Sequence, residues 1–170
     1  GRARTLELTS AAELSLAPHG ADRAHPAFSK LFVQTEARPD LHALLAWRRL
    51  RSPDEAPIWV AQLMIESPEG ESSFEYETDR ARFLGRGRTW RDPVMSLNQT
   101  DGYVLDPVFA MRRRVSLELR QQAQITLVTL AAGSREELMR LIVKYRDSDV
   151  CSRAFELAWS HAQLEYRYLG

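Results

Sequence analysis

Leu6, Leu8, Ser10, Ala12, Leu14 and Leu16 fall on alternate positions, and Thr5, Glu7, Thr9, Glu13 and Ser15 fall between them. A period of two sustained over this length demands one long strand, or two collinear ones, with one face buried. Pro18, His19 and Gly20 end it. A strand of this length suits a large sandwich, so the chain is constrained from its first segment toward extended sheet structure.

The rest of the chain extends that pattern. A short helical turn or loop is expected over 21–30, around Pro26. Leu31–Glu36 reads as a strand and Pro39-Asp40 as a turn. Leu41–Leu50 fits helix or strand equally, because Leu41, Leu44, Leu45 and Trp47 choose no period. The run Ser52-Pro53-Asp54-Glu55-Ala56-Pro57 is loop, and Ile58–Glu66 is an apolar, mostly buried strand. Ser67-Pro68-Glu69-Gly70 reads as a hairpin turn. In 73–78, Phe74 and Tyr76 alternate against Glu75 and Glu77, and Asp79–Leu84 follows as a helical turn. Residues 88–108 form a long irregular connection, the kind usually functional or held by neighbours. Met111, Arg113, Val115, Leu117 and Leu119 alternate again, and Gln124–Leu130 is expected to pair with them as a hairpin across Arg120-Gln121-Gln122.

After Gly133 the period changes. Ser134 with Glu136 and Glu137 signals a helix N-terminus, and Leu138, Leu141, Ile142 and Tyr145 form one stripe. Asp149 opens a second helix, whose apolar face from Phe155 to Tyr168 is wide enough to expect a partner. Strands first and helices last, without βαβ alternation, predict a mainly β fold: an antiparallel β-sandwich followed by C-terminal α-helices. The boundary expected between them lies at 132/133, with sandwich over 1–132 and helical linker over 133–170.

Composition narrows the function classes. With 170 residues, 44% of them hydrophobic and 27% charged, the chain can bury a core and is not disordered. Acids and bases balance at 23 each, so the long-range field of a nucleic-acid binder is missing. Arg112-Arg113-Arg114 reads better as a solvated face carrying Arg112 and Arg114, with Arg113 turned inward into a salt bridge; Arg48, Arg49 and Arg51 read the same way. No apolar run spans a membrane and no signal peptide is visible. The chain begins at Gly1 rather than methionine, so it is expected to start inside a longer protein. Cys151 stands alone and reads as a buried thiol, with His161 on another face of its helix. The four histidines show no metal-ligand spacing, and no metal or other cofactor is expected.

Few residues suggest chemistry. Gly85-Arg86-Gly87-Arg88 lacks the Lys-Ser/Thr of a phosphate loop and reads as a tight turn with exposed arginines. Glu75, Glu77, Asp79, Asp92 and Asp106 could supply a glycosidase pair only at a fixed separation across a sugar ring; capping and ion pairing are favoured for Asp79-Arg80 and Asp106-Pro107. Among Trp47, Trp59 and Trp90, the last lies in a polar loop and is the best candidate to stack on a sugar, whereas Trp59 belongs to an apolar strand.

The stretch Phe74-Glu75-Tyr76-Glu77-Thr78-Asp79-Arg80-Ala81-Arg82-Phe83-Leu84-Gly85-Arg86-Gly87-Arg88-Thr89 resembles a block of the family 94 glycoside phosphorylases, and within them of the cyclic β-1,2-glucan synthases. Arg4–Ser10, His25–Ser29, Leu31–Glu36, Leu105–Phe109 and Ala154–Trp159 are similar to further blocks in the family's order, across nearly the whole chain. The resemblance implies a supersandwich domain, galactose-mutarotase-like, leading through linker helices to an (α/α)6 catalytic barrel. It places the general acid and the phosphate site in that barrel, so no catalytic residue is assigned here. At Arg120-Gln121-Gln122 the resemblance leads us to expect Pro-Gly instead.

By resemblance, the parent is an inner-membrane-associated bacterial transferase whose phosphorylase-like part trims the glucan and sets ring size. This portion would lie on the cytoplasmic side without entering the membrane. The expected function is a non-catalytic carbohydrate-binding or cleft-framing module. Its partners would be β-1,2-glucan or a related glucose oligosaccharide, the parent's catalytic barrel and a second copy in a homodimer. The residues expected to face sugar are Trp90, Arg86, Arg88, Asp79 and Arg82. The alternative is a structural docking or dimerisation scaffold without sugar affinity; an autonomous hydrolase or phosphorylase ranks last.

Overall fold

A computed structural model of the chain describes residues 2–67, 73–94 and 96–169. The elements are β1 (Arg4–Glu13), α1 (His19–Ala24), α2 (Pro26–Lys30), β2 (Val33–Arg38), a 3-10 turn (Pro39–Leu41), β3 (Ala43–Arg48), β4 (Trp59–Ser67), β5 (Phe74–Asp79), α3 (Arg80–Leu84), β6 (Pro107–Leu117), β7 (Gln124–Ala132), α4 (Arg135–Tyr145) and α5 (Ser148–Leu169). Among the described residues the strands form two antiparallel sheets: β1-β6-β5, here sheet A, and β2-β3-β4-β7, sheet B. The ambiguous segment 41–50 is strand, because Leu44 and Ala46 face one core while Ala43 and Leu45 face another. Only a period of two can serve two opposite surfaces in that way.

The sheets pack face to face. Leu44 and Met64 from sheet B meet Tyr76, Phe109 and Met111 from sheet A. A buried hydrogen bond joins them at one side, with 2.8 Å between Thr35 Oγ1 on β2 and Thr78 Oγ1 on β5. Sheet B is covered on its outer face by α4, whose Leu138 and Ile142 are fully buried against Ala61, Leu63 and Leu130. Side chains so placed each stabilise the fold by about 1.5–3 kcal/mol. Ser134 caps α4 by accepting a hydrogen bond from Glu137 N at 3.1 Å, as its sequence signals.

Two expected hairpins are not hairpins. β6 belongs to sheet A and β7 to sheet B, so Arg120-Gln121-Gln122 lies in a connection that crosses from one layer to the other. Arg120 takes φ 64, a left-handed conformation that costs an ordinary residue about 1–2 kcal/mol. β4 and β5 likewise sit in different sheets; the Pro68-Glu69-Gly70 part of the expected turn lies outside the described residues. Short polar runs between alternating segments specify a reversal of direction. Which neighbour each strand then pairs with is decided by packing across the layers.

The first strand also departs from expectation. Leu14 is buried in the inter-sheet core, but Leu6 and Leu8 are 51% and 41% exposed. β1 is one edge of sheet A, and β7, one edge of sheet B, exposes Leu127 as well. The inner faces of these two edge strands are therefore only partly covered.

Of the three consecutive arginines, Arg113 points inward as expected and is 1% exposed. Arg114 is on the surface, 2.6 Å from Glu7 across the β1–β6 pair. Arg112 is not solvated: the connection between α3 and β6 folds back over sheet A, burying it with Phe83, Leu97, Val108 and Ala110 on that face. Its Nε donates to Thr9 Oγ1 at 2.9 Å and its Nη2 to the Val94 carbonyl at 3.4 Å. Arg48 is buried too, donating to the Leu16 carbonyl at 3.2 Å.

Candidate functional site

The 79–106 connection is built outward from a bulge in β5 between Glu77 and Asp79. Asp79 closes the strand and caps α3, its Oδ1 accepting from Ala81 N at 2.9 Å and Arg82 N at 3.4 Å. Such a cap satisfies amides that the first helical turn leaves free. Gly85 ends α3 at φ 79, and Gly87 follows at φ 73, so both occupy the left-handed region that glycine tolerates. A Cβ on Gly85 would stand 2.5 Å from Val94 Cγ1, so glycine is required there for space as well.

Beyond the glycines, Arg88 Nη1 lies 3.3 Å from Asp92 Oδ1 and 3.1 Å from the Pro93 carbonyl. These bonds brace the small turn that carries Trp90. The Trp90 ring is 40% exposed. Behind it lie Phe83, 5.6 Å away between centroids, and the Arg80 guanidinium, 5.5 Å from the ring centre. Arg80 is itself held by Glu13 at 2.9 Å and Asp106 at 3.1 Å, and Lys30 joins Asp106 at 2.7 Å. A partly exposed aromatic ring held by neighbouring side chains has the chemistry to meet the C–H face of a pyranose.

The five expected sugar-facing residues do not form one cluster of free side chains. Asp79 and Arg82 are together, 3.7 Å apart in an ion pair, with Arg82 also reaching Thr100 Oγ1 at 3.3 Å. Arg88 serves its own turn, and Arg86 is exposed between the two glycines. Trp90 rests on Phe83 and Arg80 instead. The connection further presents Tyr103, 83% exposed, and Leu105, which sequence reading missed because neither sits in a periodic segment. Gly102 holds this part in place through paired backbone bonds with Thr35 at 2.9 and 3.0 Å.

The acids considered for catalysis are engaged in the fold. Glu77 is fully buried and its Oε1 accepts from Thr78 N and Asp79 N, both at 2.9 Å. Glu75 faces Arg112, Asp92 faces Arg88, and Asp106 joins Lys30 to Arg80. Among the described residues, no group of three or more His, Cys, Asp or Glu is placed to hold a metal ion. Cys151 is buried, donating to the Tyr145 carbonyl at 3.1 Å, and burial pushes its thiol pKa up. Trp59 stacks on Trp47 at 4.7 Å and packs beside α4.

α5 is a second surface of note. It runs past β7, where Ala154, Phe155 and Ala158 line a shallow pocket with Thr126–Thr129, and Phe155 and Trp159 are 67% and 68% exposed. No helix among the described residues is long and apolar enough to cross a membrane.

Residues 1–148 match the family model described as glycosyl hydrolase 94, supersandwich domain. The match ends at the first residue of α5. The cyclic beta-(1,2)-glucan synthase NdvB of Rhizobium meliloti (strain 1021) is 37% identical over 172 residues, covering 98% of this chain. This chain spans 6% of that protein's length.

Proposed function

The chain belongs to the glycosyl hydrolase 94 supersandwich family, and from that premise we propose that it is a non-catalytic, carbohydrate-binding module that frames the sugar cleft of a cyclic β-1,2-glucan synthase. The observation that carries this reading is Trp90: an aromatic ring held half open on a braced loop, backed by Phe83 and Arg80. Tryptophan is enriched where one part of the side chain is apolar and another is wet, so a partly exposed ring held in place by its neighbours is suited to an outside contact. Arg86 and Arg82 flank that loop in sequence and supply guanidinium donors for hydroxyl groups, while Asp79 and Arg88 hold the backbone that presents them.

The substrate in this proposal is β-1,2-glucan or a related glucose oligosaccharide, bound weakly. One stacked ring and a few hydrogen bonds correspond to millimolar Kd, about 4 kcal/mol. Bond making and breaking take place in the parent's catalytic barrel, toward which residues 133–170 lead as a helical linker. The module works on the cytoplasmic side of an inner-membrane-associated enzyme. Titration with linear β-1,2-gluco-oligosaccharides, followed by tryptophan fluorescence, tests the reading; a response that survives Trp90→Ala would contradict it.

A second reading is favoured by α5. Its exposed Phe155, Leu157 and Trp159 suit a docking scaffold, joining the barrel or a second copy of the chain. That role predicts self-association abolished by Phe155→Ser with Trp159→Ser, read by sedimentation, and no response to sugar.

A further inference from the structure

A cavity of about 240 Å3 lies where the sandwich meets the α4–α5 junction, away from the loop that carries Trp90. It is lined by the buried Arg113 from β6, by Met64, Ile65 and Glu66 from β4, and by Leu41 and His42. Arg146, Asp147 and Ser148, which connect α4 to α5, close its mouth.

Three features that folds rarely tolerate converge on this space. Arg113 is a guanidinium 1% exposed inside a sandwich. Glu66, also buried, stands 3.8 Å from it. Removing such ions from water costs several kcal/mol each even when they are paired. His42 holds φ 48, a left-handed conformation for a residue with a full side chain, and its Nδ1 is 3.2 Å from Arg113 Nη2. Strain and buried charge of this kind gather at functional sites. A purely structural core could fill the same volume with apolar side chains at lower cost.

The geometry points to a binding site for one neutral pyranose ring. Around the cavity, the charges of Arg113 and Arg146 offset those of Glu66 and Asp147, so no net charge invites an anion. The positive end of α5 is already capped, since Asp147 Oδ1 accepts from Asp149 N at 2.8 Å. Guanidinium donors interleaved with carboxylate acceptors match vicinal hydroxyls, each of which donates one proton and accepts another. Leu41 and Ile65 supply an apolar patch for the C–H face. The volume is below the roughly 300–1,000 Å3 of clefts for larger ligands, so it admits one ring rather than an oligosaccharide. A bound ring would tie the α4–α5 junction to both sheets and so fix the direction in which α5 leaves.

The choice of a sugar among neutral polyols rests on the carbohydrate reading above; the cavity and its charge balance do not. The test is an NMR titration of the whole chain with methyl β-D-glucopyranoside up to tens of millimolar, with inorganic phosphate as the charged probe. Saturable shifts at the amides of His42, Glu66 and Ser148 are expected. Arg146→Ala combined with Asp147→Asn, both exposed and the latter keeping the helix cap, is expected to weaken them at least about fivefold. Shifts at Trp90 and Tyr103 alone would overturn this site and leave the loop reading standing. Shifts at the cavity alone would do the reverse. Phosphate shifting the cavity amides where the glucoside does not would replace the sugar site with an anion site, and silence at both places would remove both.

Discussion

The Arg80 guanidinium lies 5.5 Å from the centre of the Trp90 ring while its Nη1 is 3.1 Å from Asp106. The pair links an outward-facing aromatic to a charge network that also contains Glu13 and Lys30. A cation over a partly exposed ring contributes about 0.5–1 kcal/mol, and each partly exposed ion pair about as little. The network therefore orients Trp90 more than it stabilises the sandwich. Asp106→Asn should lower unfolding free energy by about 1 kcal/mol or less. It should shift the Trp90 emission to the red, measured by urea titration and fluorescence.

Gly85→Ala should be costly for two separate reasons. The residue sits at φ 79, and its Cβ would meet Val94 Cγ1 at 2.5 Å. A loss of more than about 1 kcal/mol is expected. Gly87→Ala has open space around it and only the backbone penalty, so it should cost less. Chemical denaturation of the two variants compares them directly.

Asp79→Ala removes the cap of α3 and should destabilise by about 0.5–2 kcal/mol. Because the capped turn leads into Phe83, the support of Trp90, the same variant should loosen the loop. Faster amide exchange at Ala81 and Arg82 is the readout. Asp79→Asn, which keeps an acceptor oxygen, should restore most of the protection.

Ile142→Ala is expected to cost about 2–5 kcal/mol, since the side chain is fully buried between α4 and sheet B. Phe155→Ala on the exposed part of α5 should change monomer stability by no more than about 0.5 kcal/mol. The contrast, measured by thermal unfolding, separates the helix buried in the core from the one whose apolar residues stay exposed.

Glu7 and Arg114 give the fold an acid-sensitive surface link. The hydrogen bond from Arg114 holds the Glu7 carboxyl below the usual carboxylate range. The folded pKa is depressed, so the stabilisation is complete above the unfolded carboxylate pKa and is lost as pH falls through the folded one. Glu7→Gln should therefore flatten part of the acid limb of a stability-against-pH curve, with a smaller effect in high salt.

Much of the architecture is readable from alternation. Phe74/Glu75/Tyr76/Glu77 and Met111–Leu117 show their facing directly, and Ser134 and Asp79 announce their helices. Alternation does not tell which sheet a strand joins. The turn chemistry of Arg120-Gln121-Gln122 is local, whereas the layer change it makes depends on contacts with β4, far off in sequence. Nor does alternation say how far a face is covered, which is why Leu6 and Leu8 look buried in sequence and are exposed at an edge. Arg112 shows the converse, since the folded-back loop at Val94 helps to cover it.

The candidate site divides in the same way. Trp90 is recognisable because a lone tryptophan in a polar connection has no periodic partner to hide it. Arg80 and Asp106 could be read as an ion-pairing set, but the placing of Arg80 beside the ring depends on β1, α2 and the residue before β6 meeting. His42, Glu66 and Arg113 are separated by dozens of positions and gave no signal until the sheets were assembled.

The most direct measurement is a titration of the chain with linear β-1,2-gluco-oligosaccharides, reading tryptophan fluorescence in the parent sequence and in a folded Trp90→Ala variant. A cleft-framing sugar module requires a saturable millimolar response that the variant loses. No response up to tens of millimolar, or one that Trp90→Ala leaves unchanged, would contradict it.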